Sequence, residues 1–300
     1  MTSKHAYLIL AHTNPGQLRK LLGMLDDARN DIYVHIDAKA RFSEKELEGC
    51  CSKSGLFFIN PRIRANWGGF SLARIEIALL EKATEKSYDY YHLLSGMDLP
   101  IKSQDCIHKF FDENKGKEFI NLWTIKDNTR SRFNCWSPFP EGGGNFILNF
   151  LNNVAKGFQL MAGIRINRDV EFKYGSQWFS ITDGMARYAV SQKEWLKKTF
   201  RHTTTCDEVF MPTLVWKSPF RENIYDPVEH NGNSTADNFS NMRFIDWTRG
   251  RSIRHPWVFT INDYELLAGL PHLWARKFDE RVDSAIIDRI TNSLTDRTSD

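Results

Sequence analysis

Short apolar runs alternate with amphipathic stretches through the first hundred residues. Ala6–Leu10 (AYLIL), Ile32–Ile36 (IYVHI), Leu56–Ile59 (LFFI) and Tyr88–Leu94 are short runs dominated by aliphatic and aromatic side chains, the pattern of strands buried on both faces. Helical spacings lie between them. Asn14-Pro15 suits a helix start, with Leu18, Leu21, Leu22 and Leu25 on one face. Ser43 and Glu46 match a capping box for a short helix, and Leu72, Ile75, Leu79 and Ala83 recur at helical spacing. Strand and helix in alternation predict an α/β fold with a mostly parallel, nucleotide-binding type of sheet.

Past Phe119–Trp123 the rhythm weakens. Residues 124–145, ending in PFPEGGGN, read as a long loop, and Phe146–Met161 reads as a helix covering the site. Gln177–Thr182 predicts a strand, followed by a helix carrying Met185, Tyr188, Ala189 and Trp195. Residues 226–241 are polar and irregular, as a mobile loop would be. Arg243–Trp247 and Trp257–Thr260 predict late strands, and Asp263–Leu270 and Val282–Leu294 predict helices. No internal repeat or linker interrupts the chain, so residues 1–300 are expected to form a single domain.

Composition removes some functions and leaves others. With 40 basic and 37 acidic residues, the net charge of +3 is too balanced for a nucleic-acid binder, and any anion site must be local. Nine tryptophans suit stacking on sugar faces, although large cores use aromatics too. The five cysteines (Cys50, Cys51, Cys106, Cys135, Cys206) have no CxxC or zinc-ligand spacing, which predicts free thiols in a reducing compartment. The apolar run at the amino end is too short for a signal peptide and no run approaches ~20 residues. A cytoplasmic location is expected.

No GxGxxG, GxxxxGK[ST], HExxH or GxSxG is present, which counts against dinucleotide oxidoreductases, P-loop enzymes, zincins and α/β-hydrolases. Two carboxylates, Asp207 and Glu208, precede an apolar helical pattern through Val209, Phe210, Thr213, Leu214 and Trp216. The plain reading makes them acids in the helix's first turn; the functional one makes them a base aimed into a pocket. Arg249, Arg251 and Arg254 stand before a predicted strand, and Arg276 and Lys277 lie between aromatics. An arginine at a strand start and a loop lysine would meet around one anion and act as fixed charges, doing electrostatically what Mg²⁺ does elsewhere. Asp98 closes the apolar run YHLLSGMDLP. A lone aspartate is poor as a sole metal site. The other open readings are a contact to a sugar or nucleotide at the strand end, and a turn former.

The order of AYLILAH, YVHIDAK, NWGGFSLARIEIALL, SGMDLPIKS, GSQWFSIT, CDEVFMPTL, FIDW and LWARKFD resembles the core-2/I-branching glycosyltransferase family, which includes β-1,6-N-acetylglucosaminyltransferases and peptide O-xylosyltransferases. The match covers roughly residues 5–285. It implies a GT-A-type fold with irregular C-terminal elements on the acceptor side. It implies a nucleotide-binding half at about 1–125 and an acceptor and catalytic half at about 126–300. The activity implied is inverting and metal-independent transfer from a UDP-sugar, UDP-GlcNAc first and UDP-xylose second, to a saccharide hydroxyl. By the same resemblance Glu208 is the general base, Arg254 and Lys277 bind the diphosphate, and His12, Asp37, Trp67 and Asp98 face the nucleotide sugar. Trp247 and Asp207 belong to the acceptor side. No cofactor is expected, and a lipid-linked acceptor would bring peripheral membrane association. The disulfides and membrane anchor of animal members are missing from this sequence. Two alternatives stay open: a metal-dependent transferase using Asp98, and a non-catalytic carbohydrate- or nucleotide-binding module. A methyltransferase on a similar sheet is disfavoured by the lack of a glycine-rich first loop.

Overall fold

The computed structural model describes residues 3–231, 239–250 and 255–296. The first apolar run becomes β1 (His5–Ala11), in which only Leu10 keeps partial contact with solvent. It pairs in parallel with β2 (Asn30–Ile36) on one side and β4 (Tyr90–Ser95) on the other. Beyond β2 lies parallel β3 (Gly55–Phe58), and beyond β4 lies antiparallel β6 (Ser180–Thr182). The mostly parallel α/β architecture expected from the alternating pattern is the one present.

Successive strand side chains point to opposite faces, and each face has its own helices. Ala6, Leu8 and Leu93 enter one apolar cluster with α2 (Phe70–Ala83), α6 (Asp183–Ser191) and α8 (Phe210–Lys217). Tyr7, Ile9 and Leu94 enter the other with α1 (Pro15–Leu25), α3 (Gln104–Glu113) and α9 (Ser284–Asp296). Both clusters draw on residues before and after 125, so the two expected halves share their core.

A second sheet continues the first. β5 (Asp98–Pro100) follows β4 directly and pairs antiparallel with β8 (Trp274–Arg276), which pairs in parallel with β7 (Arg243–Ile245). Arg243 joins the two sheets. Its buried guanidinium donates to the carbonyls of Leu93 at 3.1 Å and Phe179 at 2.5 Å, to Ser180 Oγ at 3.1 Å, and to Asn241 O at 2.6 Å. The group lies 4.7 Å from the centre of the Trp274 ring. Burial pulls its pKa down to about 9, which leaves it charged at neutral pH.

Some expected elements differ. The long loop at 124–145 contains α4 (Asp127–Asn134). The strand at 177–182 shortens to β6, and the following helix breaks at Gln192 into α6 and α7 (Lys193–Phe200). Trp257–Thr260 is not a strand. It runs beside the end of β8, where Phe259 N–H donates to Lys277 O at 2.9 Å. The stretch read as a loop around Lys277 supplies β8 instead, because its pairing partners are short segments distant in the chain. In the polar stretch from 226, His230 pairs through its backbone with Leu122 and Thr124, while residues 232–238 lie outside the described residues. Among the described residues no helix is long and apolar enough to cross a membrane, and all five cysteines are unpaired.

Replacing Arg243 with alanine removes the bridge and leaves buried carbonyls short of a donor. Urea unfolding of Arg243→Ala is expected to show a loss of about 3 kcal/mol or more. A loss below about 1 kcal/mol would mean that apolar contact alone holds the sheets together.

Candidate active site

Parallel strands deliver their carboxyl ends to one edge of a sheet, and loops leave from there. His12 follows β1, Asp37 follows β2, and Ser95 ends β4 just before Asp98. Lys277 and Trp247 follow the parallel pair β8 and β7 in the same way.

Asp98 is buried and faces Arg276 across the β5–β8 pair. Its Oδ2 accepts the Ser95 N–H at 2.8 Å and its Oδ1 pairs with Arg276 at 2.5 Å. Arg276 also donates to Ser95 Oγ at 2.6 Å and rests 4.5 Å from the Trp178 ring centre. Both oxygens of Asp98, expected to contact the donor, thus carry bonds to Ser95 and Arg276, and the pairing holds Arg276 in place. Asp37 is tied in a related way, accepting the N–H groups of Lys39 at 2.7 Å and Ala65 at 3.3 Å.

A cationic corner forms around Lys277. Among the described residues its amine makes no ion pair. Burial first, then the Arg276 charge, push its pKa below the usual lysine value. His12 is exposed, yet surrounding atoms desolvate its ring; that effect, and then Arg276, lower its pKa, opposed by Asp37. Gln17 fixes this corner to the main sheet. Its buried amide donates to Gly96 O at 2.9 Å and Phe278 O at 3.1 Å and accepts the Glu280 N–H at 2.9 Å. Arg249 is paired with Asp246 and Asp263, and Arg254 lies outside the described residues.

The acids occupy a different place from the one expected. Asp207 and Glu208 sit in a separate 3₁₀ turn, Cys206–Glu208, before α8 begins at Phe210. Thr205 enters that turn in the left-handed region, φ 54°, held by its N–H to Gly68 O at 2.8 Å. Tyr174 donates its hydroxyl to Glu208 Oε2 at 2.9 Å. Burial raises the Glu208 pKa, while the Tyr174 bond and the Arg132 charge oppose the rise. Asp207 is raised as well, by burial and then by the neighbouring Glu208 charge. Its Oδ1 has no hydrogen-bond partner among the described residues. Behind the turn, Gly175 donates to Glu208 O at 2.9 Å, and a side chain there would meet Asn121 O at 2.0 Å. Only glycine fits.

One short stretch spans the two corners. Tyr174 holds Glu208, and four residues later Trp178 covers Arg276, a reach of at most about 14 Å. Trp67, 80% exposed and expected near the nucleotide, lies on the acid side. It lines a cavity of about 390 Å³ with Arg132, Thr204, Thr205 and the polar side of α5 (Phe146–Met161). Trp247 is half-buried and packs against the core. A larger cavity of about 570 Å³ opens between α2 and α7, and none of the expected site residues lines it. Tyr174 escaped the sequence reading, and Arg276, noted there as a cation between aromatics, was given no role in the site. Tyr174 has no motif around it, and the signal for Arg276 was its opposite charge to Asp98, legible only once their strands pair.

The family model "Core-2/I-Branching enzyme" matches residues 5–267. The chain belongs to the Core-2/I-branching enzyme family. Among curated relatives, xylosyltransferase 2 of Bos taurus is 23% identical over 95% of this chain and 33% of its own length. A xylosyltransferase of Ciona intestinalis is 21% identical over 96% of this chain and 34% of its own. The chain thus spans about a third of the curated relatives it matches. The crystal structure of mouse xyloside xylosyltransferase 1 in its apo form aligns loosely, with a TM-score of 0.35 and 12% identity over 77% of this chain and 86% of that one.

The acid pair makes stability depend on pH. A carboxyl whose folded pKa is raised favours the folded state while protonated, so that contribution is full below the unfolded value and is lost as pH rises through the folded one. Asp207→Asn is expected to gain on the wild type in urea unfolding as pH rises from about 5 to 8. A constant difference across that range would show that Asp207 is ionised in the fold throughout.

Proposed function

We propose that this chain is a glycosyltransferase that moves a sugar from a UDP-sugar to a saccharide hydroxyl with inversion at the anomeric carbon. The observation that carries the reading is a pair of corners bridged by the short stretch from Tyr174 to Trp178: Lys277, without an ion pair among the described residues, beside Arg276 and His12, and Glu208 held by Tyr174. Glu208 accepts the acceptor's hydroxyl proton while that oxygen attacks the anomeric carbon. The bond from that carbon to the β-phosphate oxygen breaks, and UDP leaves with the electron pair. Lys277, with Arg254 as the partner expected from the sequence, stabilises the charge that develops on the leaving diphosphate. The raised pKa of Glu208 brings a carboxylate base closer to the pH at which it must work. The relatives named xylosyltransferases support testing UDP-xylose beside UDP-GlcNAc. The cavity under Trp67, next to the acid turn, is the place proposed for the acceptor saccharide, a lipid-linked one included. The metal-dependent alternative rests on Asp98, whose carboxylate is already engaged by Arg276 and Ser95.

Calorimetric titration of UDP in the presence of EDTA tests the donor side. Saturable binding by the wild type and at least about ten-fold weaker binding by Lys277→Ala are expected. Binding that appears only with Mn²⁺ would restore a metal-dependent site, and no binding in either condition would remove the UDP-sugar reading. On the acid side, Glu208→Gln is expected to lower turnover by about 10²–10⁴-fold with UDP affinity nearly intact. Near-wild-type turnover by that variant would show that the base is another group. Tyr174→Phe removes a bond that favours the charged carboxylate, so the acidic limb of the pH–rate profile is expected to move to higher pH. An unmoved limb would uncouple Tyr174 from the base.

A further inference from the structure

The helix α5 is turned inside out. In a surface helix the apolar stripe normally faces the core. Here Phe146, Ile147, Phe150, Val154, Phe158 and Met161 all point to solvent, with exposure reaching 83% at Phe146 and 91% at Met161. The polar stripe faces the protein. Asn152 accepts the Phe139 N–H at 3.0 Å and donates to its carbonyl at 2.9 Å, and Gln159 makes the same pair of bonds to Trp136 at 2.8 Å each. Amides clamped to backbone in this way hold the helix in its orientation, so the apolar face is presented rather than left over.

We propose that α5 is an interfacial anchor that seats this protein on an anionic lipid surface. Charge points to such a surface. No acid occurs between Glu141 and Asp169, whereas Arg165 and Arg168 follow the helix and Lys156 lies on its cavity side, and among the described residues none of these bases pairs with a carboxylate. Arg165 and Arg168 gather at the helix's carboxyl end, donating to the carbonyls of Gln159 and Gly163. Size points the same way. Sixteen residues make a strip roughly 24 Å long, the size of a helix lying in a bilayer's headgroup boundary. The helix is also too short to span. The inference stands whether or not the transfer reading does. If both hold, the bilayer lies beside the cavity that shares α5's polar face, and a lipid-tethered acceptor would enter from there.

The test is co-sedimentation of the full chain with vesicles of phosphatidylcholine alone and of phosphatidylcholine with phosphatidylglycerol. Binding to the anionic vesicles, weakening as salt rises, is expected, with little binding to the neutral ones. The pair Phe150→Ser/Phe158→Ser is expected to weaken partitioning by about ten-fold or more while the thermal unfolding midpoint stays put. Phe146→Ser/Met161→Ser, at the two ends of the strip, is a second pair should the first perturb folding. Wild type left in the supernatant with both vesicle types would overturn the proposal. So would equal sedimentation of wild type and variants. So would a dimer in light scattering that the same substitutions dissolve, since the face would then be covered by a second copy. Failure of UDP binding would leave this result untouched, which keeps the two readings separable.

Discussion

A single buried guanidinium ties the two sheets together, and the site hangs from that join. Arg243 reaches from β7 to carbonyls at β4 and beside β6, and its flat face lies on Trp274 of β8. Two residues after Trp274 comes Arg276, and then Lys277. The position of the cations relative to the strand ends therefore depends on a charge placed where no solvent reaches. Burying an arginine is costly, and the cost is offset here by four acceptors and an aromatic face rather than by a carboxylate in contact. Gln17 repeats the logic from the other side, using one amide to lock α1 to the turns after β4 and β8.

What was legible in the sequence follows from where each signal is stored. The strands from β1 to β4 and their helices are written in local periodicity, and their boundaries shift by only a few residues. Phe146–Met161 was readable to the residue because its apolar and polar arcs are so distinct. Its orientation was not, since amphipathy alone does not say which arc meets the protein. The second sheet was the least legible part. Each of its strands has three residues, and pairing between segments far apart in the chain carries no period to detect.

The site divides along the same line. Glu208, Asp207 and Lys277 were singled out from short motifs, and the structure adds why they stand where they do: a strained Thr205, a glycine that cannot be replaced, a tyrosine hydroxyl. Asp98 shows the reverse case. A conspicuous acid at a strand end reads as a ligand contact, but its counter-ion is Arg276, one place before Lys277 in a motif more than a hundred residues away. Trp67, expected to face the nucleotide sugar, lines the cavity beside the acid turn, where its neighbour Gly68 is bonded to Thr205.

The crowding of Lys277 and Arg276 has a consequence for the end of a catalytic cycle. Burial first, and then the charge of Arg276, itself paired with Asp98, disfavour the charged form of Lys277, and an incoming diphosphate brings relief. On the proposed reading that relief does not distinguish substrate from product. UDP freed of its sugar carries more charge on its outer phosphate than the donor did, so the corner holds the spent nucleotide at least as firmly as the fresh one. Accumulated UDP then competes with fresh donor for the corner, and the proposed transfer slows as its own product builds up.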